Sequence, residues 1–178
     1  MEDLNFHKVK KIFFLISFFL IHSVYSFAQN FSLEEQVTLN DPWGSSFLNN
    51  NELILTEKSG KIKIANIITK EVFEVDHNLN FIEHGQGGLL DILFKDNFVY
   101  IAYTENRGNM KTSTSIAKAY FNKKKLDFKN IFQAEPPINS GYHFGSRLAI
   151  KDNYLFASAG ERGRGMIAQD PSKHPGSI

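Results

Sequence analysis

The stretch LLDILFKDNFVYIAYTE (89–105) decides the fold class of this chain. Ile, Leu, Val, Phe and Tyr dominate its two halves, and the polar turn KDN (95–97) separates them. Two short apolar segments divided by a tight polar turn are typical of a β-hairpin. The stretch therefore predicts two antiparallel strands.

Three other segments show the same pattern. Strand pairs are predicted in ELILTEKSGKIKIANI (52–67) around a Ser-Gly turn, in SIAKAYFNKKKLDFKNIFQ (115–133) around a lysine-rich turn, and in SRLAIKDNYLFASAGE (146–161) around a second KDN. After residue 28, no segment has the apolar spacing of an amphipathic helix of a dozen residues. The pattern predicts an all-β chain of short strands joined by tight polar turns.

The predicted strand pairs are weakly self-similar. The two KDN turns begin at Lys95 and Lys151, each is followed by a strand that starts with an aromatic residue, and a glutamate comes after that strand. The segment SSFLNNNELILTEKSG (45–60) has the same layout, with NNN as its turn. Recurrence near the length of a propeller blade favours a radial array of four-stranded sheets. Hairpins also recur in a β-sandwich, so periodicity leaves both architectures open.

The N-terminal residues have the features of a secretory signal peptide. Three lysines precede the apolar run IFFLISFFLI (12–21), which is about half as long as a membrane-spanning helix. SFA (26–28) then places small residues at the −3 and −1 positions of a cleavage site. We predict a signal peptide over 1–28, a mature N-terminus at Gln29, and a periplasmic or secreted protein with no transmembrane span after cleavage. An uncleaved N-terminal anchor is the alternative.

The composition of residues 29–178 gives no support for nucleic-acid binding and rules out disulfide bonds. This part contains 17 Lys and Arg against 17 Asp and Glu, so its formal charge is zero and it offers no electrostatic case for binding nucleic acid. Its dense basic run, NKKKLDFKN (122–130), is interpreted as a solvated hairpin turn. The chain has no cysteine, which excludes a disulfide framework.

Four motifs then indicate a family. In chain order they are DPWGSSFLNNNELILTEKSGKIKI (41–64), HGQGGLLDI (84–92), YHFGSRLAI (142–150) and GERGRGMIAQD (160–170). Together they resemble the soluble quinoprotein glucose/sorbosone dehydrogenases, also called PQQ-dependent aldose sugar dehydrogenases, over nearly all of 40–178. The resemblance implies a six-bladed β-propeller, with pyrroloquinoline quinone (PQQ) on its central face above a calcium ion.

The resemblance also assigns roles to three residues. Gln86, flanked by glycines that let the backbone approach a ligand closely, matches a glutamine that contacts cofactor and substrate. His143 matches the histidine that contacts the cofactor and takes the proton of the anomeric hydroxyl. Glu161 matches the carboxylate that orients this histidine. From the residues alone, a solvent-facing turn glutamine, a structural histidine, and an acid paired with Arg162 or Arg164 remain alternatives.

Two other residues, Arg147 and Trp43, are expected to be structural. Arg147 could brace a loop or pair with an acid, and Trp43 is interpreted as core between blades. His84 could contact ligand or be exposed. The histidines at 77, 84, 143 and 174 lack the H-x-x-x-H spacing of metal ligands, so no metal ligand is predicted in this chain.

The activity implied by the resemblance is oxidation of an aldose sugar at C1 to the lactone. Hydride would pass to PQQ, and the electrons would then go to an acceptor such as a quinone or a cytochrome. Blades need about 40–45 residues or more, so 29–178 is expected to be the N-terminal part of the propeller, roughly its first three blades. Calcium ligands are expected beyond the end of this chain. The piece alone is then expected to be inactive, and a non-catalytic binding propeller or an inactive fragment is the alternative function.

Overall fold

The structure is a computed structural model that describes residues 31–178, and strands account for most of the regular structure in that range. Residues Glu35–Ile178 form the unit described below. Of the preceding unit, Met1–Glu34, the described residues 31–34 contain no helix or strand. The predicted signal peptide (1–28) and its cleavage site lie outside the described residues. Within 31–178, no helix is long and apolar enough to cross a membrane.

The first sheet is an antiparallel meander of four strands in chain order. They are β1 (Pro42–Phe47), β2 (Glu52–Glu57), β3 (Lys61–Asn66) and β4 (Val72–His77). The β2–β3 turn places Gly60 at φ 107°, a conformation that glycine adopts without steric penalty. The hairpin predicted around the Ser-Gly turn is therefore confirmed.

The second sheet is another four-stranded antiparallel meander. Its strands are β5 (Leu89–Lys95), β6 (Phe98–Asn106), β7 (Thr112–Tyr120) and β9 (Lys129–Gln133). Asp96 and Asn97 of the first KDN turn both have positive φ, 50° and 62°. Two consecutive positive φ angles match the right-handed twist of hairpin strands, and Asn and Asp tolerate them best after glycine. The hairpin predicted from 89–105 is confirmed.

The lysine-rich segment between β7 and β9 differs from the prediction. It contains a two-residue strand, β8 (Lys125–Leu126), which pairs in parallel with Asp76 and His77 of β4 in the first sheet. Leu126 is fully buried in the core between the sheets. The interpretation of 122–130 as a simple solvated turn is therefore wrong, because the segment joins the first sheet to the second.

A two-stranded hairpin follows the second sheet. It consists of β10 (Gly145–Lys151) and β11 (Tyr154–Ala159), joined by the second KDN turn. A short 3-10 helix covers Gly165–Gln169. Ala159 then forms an antiparallel bridge with Ser177, so the chain returns to the free side of β11.

The second sheet is buried on both faces. Leu89 and Leu90 are consecutive and point to opposite faces of β5, yet both are fully buried. Leu89 belongs to a cluster with the first sheet, which includes Ile54, Ile62, Ile64 and Val75. Leu90 belongs to a second cluster, which includes Phe144 and Leu148 of the following hairpin region. Because both faces need apolar residues, the sequence LLDIL reads as a nearly continuous apolar run.

These sheets stack one after another along the chain, which is the arrangement of blades in a β-propeller. A sandwich would instead distribute its hairpins over two facing sheets. The all-β propeller prediction is confirmed, with two complete blades, of which the first is extended by β8, and the first hairpin of a third.

Trp43 is not core between blades, contrary to the sequence interpretation. Its neighbour Gly44 is buried against β5, where an added Cβ would lie 2.8 Å from Asp91 Cα. Trp43 itself lies between Pro42 and Ser45, where the pairing of β1 with β2 shifts register, and is 45% exposed.

Candidate active site

Three loops at one edge of the sheets bring together the residues singled out in the sequence. Gln86 lies in the loop before β5, His143 in the loop before β10, and Glu161 directly after β11. The Gln86 backbone N–H donates to the Gly141 carbonyl at 2.8 Å, which joins the first loop to the second. The Gly160 N–H donates to the Phe144 carbonyl at 3.0 Å, which joins the second to the third.

Glycines make this close approach feasible. A Cβ added to Gly160 would lie 1.9 Å from the His143 carbonyl oxygen. A Cβ added to Gly85, whose φ is +60°, would lie 2.4 Å from the Gly141 carbonyl oxygen. Neither distance is compatible with a side chain, so these two glycines set how closely the loops meet.

His143 and Glu161 form a hydrogen-bonded pair. The distance between His143 Nδ1 and Glu161 Oε1 is 2.5 Å, and their side chains are 54% and 26% exposed. The hydrogen bond from His143 lowers the pKa of the Glu161 carboxyl below its ordinary value of 4.5. With Nδ1–H donating to the carboxylate, a neutral imidazole leaves Nε2 as a proton acceptor. The His143 backbone has φ +49°, so the loop holds this residue in the left-handed region.

Gln86 is oriented by the backbone of His143. Its Oε1 accepts the His143 N–H at 2.8 Å. Because a backbone N–H can only donate, this contact fixes the carboxamide with its oxygen toward His143 and its NH₂ group pointing away. In the described part of the chain nothing accepts a hydrogen bond from that NH₂ group. Gln86 therefore presents a donor beside the His143–Glu161 pair.

Arg162 is a residue of this site that sequence reasoning considered only as a partner for Glu161. Its side chain is buried and, within 31–178, lies in no ion pair with a carboxylate. It donates instead to the oxygens of Thr112, Ser140 and Tyr142. Its position between Glu161 and Gly163 is the sequence signal that could have drawn attention to it.

Arg147 has the structural role predicted for it. Its Nη1 pairs with Asp91 Oδ1 at 3.0 Å, and Asp91 Oδ2 accepts the Leu148 N–H at 2.7 Å. Asp91 is buried, so this contact fastens β10 to the second sheet beneath the site. His84 is half-buried, with its ring against Gly141, and forms part of the loop that carries Gln86.

The residues present fit part of a quinone site. Gln86 offers an NH₂ group that can donate hydrogen bonds to quinone oxygens or carboxylates. His143 has a half-exposed side chain, and its Nε2 stays available as an acceptor. In residues 31–178 there is no group of three or more His, Cys, Asp and Glu side chains that could hold a metal ion.

Comparisons with known proteins agree with the motifs. The model of the family described as Glucose / Sorbosone dehydrogenase matches residues 39–178. The chain is 28% identical over 153 residues to the aldose sugar dehydrogenase YliI of Escherichia coli (strain K12), and the match covers 80% of this chain and 41% of that protein.

Two solved structures have the same fold. The apo form of the soluble aldose sugar dehydrogenase from Escherichia coli aligns with a TM-score of 0.71 and 29% identity, over 78% of this chain and 43% of that one. The PQQ-bound aldose sugar dehydrogenase from Streptomyces coelicolor aligns with a TM-score of 0.70 and 25% identity, over 81% and 45%. The chain spans about two fifths of the length of the relatives it matches. It belongs to the glucose/sorbosone dehydrogenase family.

Proposed function

We propose that the propeller to which residues 29–178 contribute the N-terminal part oxidises an aldose sugar at C1 to the lactone with PQQ as cofactor. The observation that carries the proposal is the His143–Glu161 pair: a 2.5 Å hydrogen bond at Nδ1 leaves Nε2 of a half-exposed imidazole as an acceptor, and Gln86 Oε1 holds the backbone N–H of the same histidine. Relatives named as aldose sugar dehydrogenases support the reaction class, and the PQQ-bound relative supports the cofactor.

His143 acts as the general base in this proposal. Its Nε2 takes the proton of the anomeric hydroxyl while the C1–H bond breaks and the C1–O bond becomes the lactone carbonyl. PQQ, when bound, supplies the acceptor for the hydride that leaves C1. Glu161 holds Nδ1–H, which keeps Nε2 free to accept, and its negative charge stabilises the imidazolium that forms.

Gln86 positions the reacting groups. With its oxygen committed to the His143 N–H, its NH₂ group is directed at an acceptor on the cofactor or the sugar. The same contact ties the orientation of the donor to the position of the base. A single glutamine thus sets both the ligand contact and the loop that carries His143.

The location and extent of the enzyme belong to the same proposal. Residues 1–28 act as a secretory signal, and residues 29–178 form the N-terminal part of the propeller, which works in the periplasm or outside the cell. Electrons leave through an acceptor such as a quinone or a cytochrome. Any calcium ion is held by groups other than a His, Cys, Asp and Glu cluster in 31–178.

Reduction of a dye by the purified full-length protein tests the proposal. The protein is reconstituted with PQQ and calcium, and aldoses are supplied one at a time. Sugar-dependent reduction that requires PQQ is expected, with the lactone as product. Sugar binding without dye reduction would favour a non-catalytic propeller and contradict the proposal.

A further inference from the structure

Arg162 ties three segments of the site together. Its Nε donates to the Tyr142 carbonyl at 3.0 Å, and its Nη2 donates to the Ser140 carbonyl. The guanidinium also donates to the Thr112 carbonyl at 3.2 Å and to the Thr112 hydroxyl at 2.7 Å, at the start of β7. Its backbone N–H donates to the carbonyl of His143 at 3.3 Å. The side chain is 2% exposed and lies 3.6 Å from the centre of the Phe144 ring.

A purely structural role does not account well for a charge in this place. Burial lowers the pKa of Arg162 to about 10, while the negative charge of Glu161 acts in the opposite direction, so the group stays protonated at neutral pH. Burying a cation without a bonded carboxylate is destabilising, and packed apolar residues are often at least as stabilising in such positions. What the guanidinium provides, and an apolar side chain would not, is a rigid set of donors for the carbonyls next to His143.

We propose that Arg162 is a positioning residue, which fixes the backbone of residues 140–143 and so holds His143 Nδ1 at hydrogen-bonding distance from Glu161. The role rests on the proposed function, because it matters for turnover only if His143 is the base. Two adjacent residues thus act on the same histidine: Glu161 bonds the His143 imidazole, and Arg162 bonds the backbone of the loop that carries it.

Two substitutions separate positioning from stability. Arg162→Met removes the donors and keeps most of the volume, whereas Arg162→Lys keeps the charge but lacks the planar fork. Arg107→Met is the control, since Arg107 is a partly buried arginine bonded to Ser113 and Glu135 that makes no hydrogen bond to residues 140–143.

The first measurement needs no cofactor. The signal of the His143 Nδ1–H proton is recorded by NMR on full-length protein labelled at histidine. It is assigned by its absence from the spectrum of His143→Gln. We expect a low-field signal in the wild type and in Arg107→Met, a weaker one in Arg162→Lys, and none in folded Arg162→Met. In the dye assay kcat should fall about 10- to 100-fold in Arg162→Met with a smaller change in KM, as for a misplaced catalytic group.

The outcomes distinguish this role from the proposed function. An unchanged Nδ1–H signal and unchanged kcat in Arg162→Met, even with a lower melting temperature, would overturn the positioning role. If Arg162→Met does not fold, the same two readouts in Arg162→Lys decide. If the wild type oxidises no sugar, the proposed function fails, and the NMR signal alone still tells whether Arg162 holds the pair.

Discussion

Replacing Gly160 by alanine should disable the site through a steric contact of one methyl group. The added Cβ would lie 1.9 Å from the His143 carbonyl oxygen and 2.6 Å from its carbonyl carbon. Cβ contacts below 3.0 Å are essentially never seen, so the two loops would have to separate by about 1 Å. Both contact atoms are backbone, so no side-chain rotation can relieve the clash.

That separation acts directly on the His143–Glu161 pair. Gly160 is bonded to Glu161, and the clashing atoms belong to His143, so the 2.5 Å hydrogen bond between the two side chains would be broken or distorted. Misplacement by about 1 Å can lower turnover about 100-fold, and overpacking of this kind costs about 1–3 kcal/mol of stability. We expect both effects in the full-length protein.

Gly165→Ala is the matched control. An added Cβ at Gly165 has nothing within 4 Å, and its φ lies outside the left-handed region. In denaturant unfolding and dye reduction, Gly165→Ala should have stability and turnover close to those of the wild type. Gly160→Ala should have lower stability and lower turnover. Wild-type turnover and stability in Gly160→Ala would refute the argument that close backbone approach sets the His143–Glu161 geometry.

Three further predictions use the same protein. Glu161→Gln should lower kcat less than loss of His143 does, because the imidazole remains. The hydrogen bond from His143 lowers the pKa of Glu161, so the wild type should lose stability as the pH falls from 4.5 through that lowered pKa. Acid unfolding curves of the glutamine variant should lack this loss. Leu89→Ala, at a fully buried position between the first two sheets, should cost about 2–5 kcal/mol in denaturant unfolding, whereas Leu33→Ala, at an exposed position, should cost little. N-terminal sequencing of protein from an exporting host should begin at Gln29, and soluble cytoplasmic protein that keeps Met1 would contradict export.

Local chemistry explains why the hairpins could be predicted. A hairpin is determined by residues close together in the chain: the alternating apolar residues of its strands and the turns at 95–97 and 151–153. The strands β5, β6, β10 and β11 therefore lie where they were expected. The pairing of β8 with β4 could not be predicted, because it joins Lys125 to Asp76 across 49 positions. The exposure of Trp43 was likewise missed, because it depends on which face of β1 the second sheet covers.

The site was accessible from the sequence only in part. The motif resemblance singled out Gln86, His143 and Glu161, and their catalytic and binding roles stay predictions. Spacing alone could not show that Gln86 Oε1 meets the His143 N–H across 57 positions. Nor could it show that the Arg162 side chain donates to backbone carbonyls and not to the adjacent Glu161 carboxylate. These hydrogen bonds depend on the fold of the 140–142 loop.

The central claim is that His143 is the base, and His143→Gln in the full-length protein tests it most directly. Glutamine keeps a similar size and hydrogen-bonding groups but does not accept a proton near neutral pH. With PQQ affinity and kcat measured on the same preparation, we expect affinity close to wild type and kcat lowered about 100-fold or more, the range for loss of a general base. Wild-type kcat with weakened PQQ binding would identify His143 as a cofactor ligand and contradict the account.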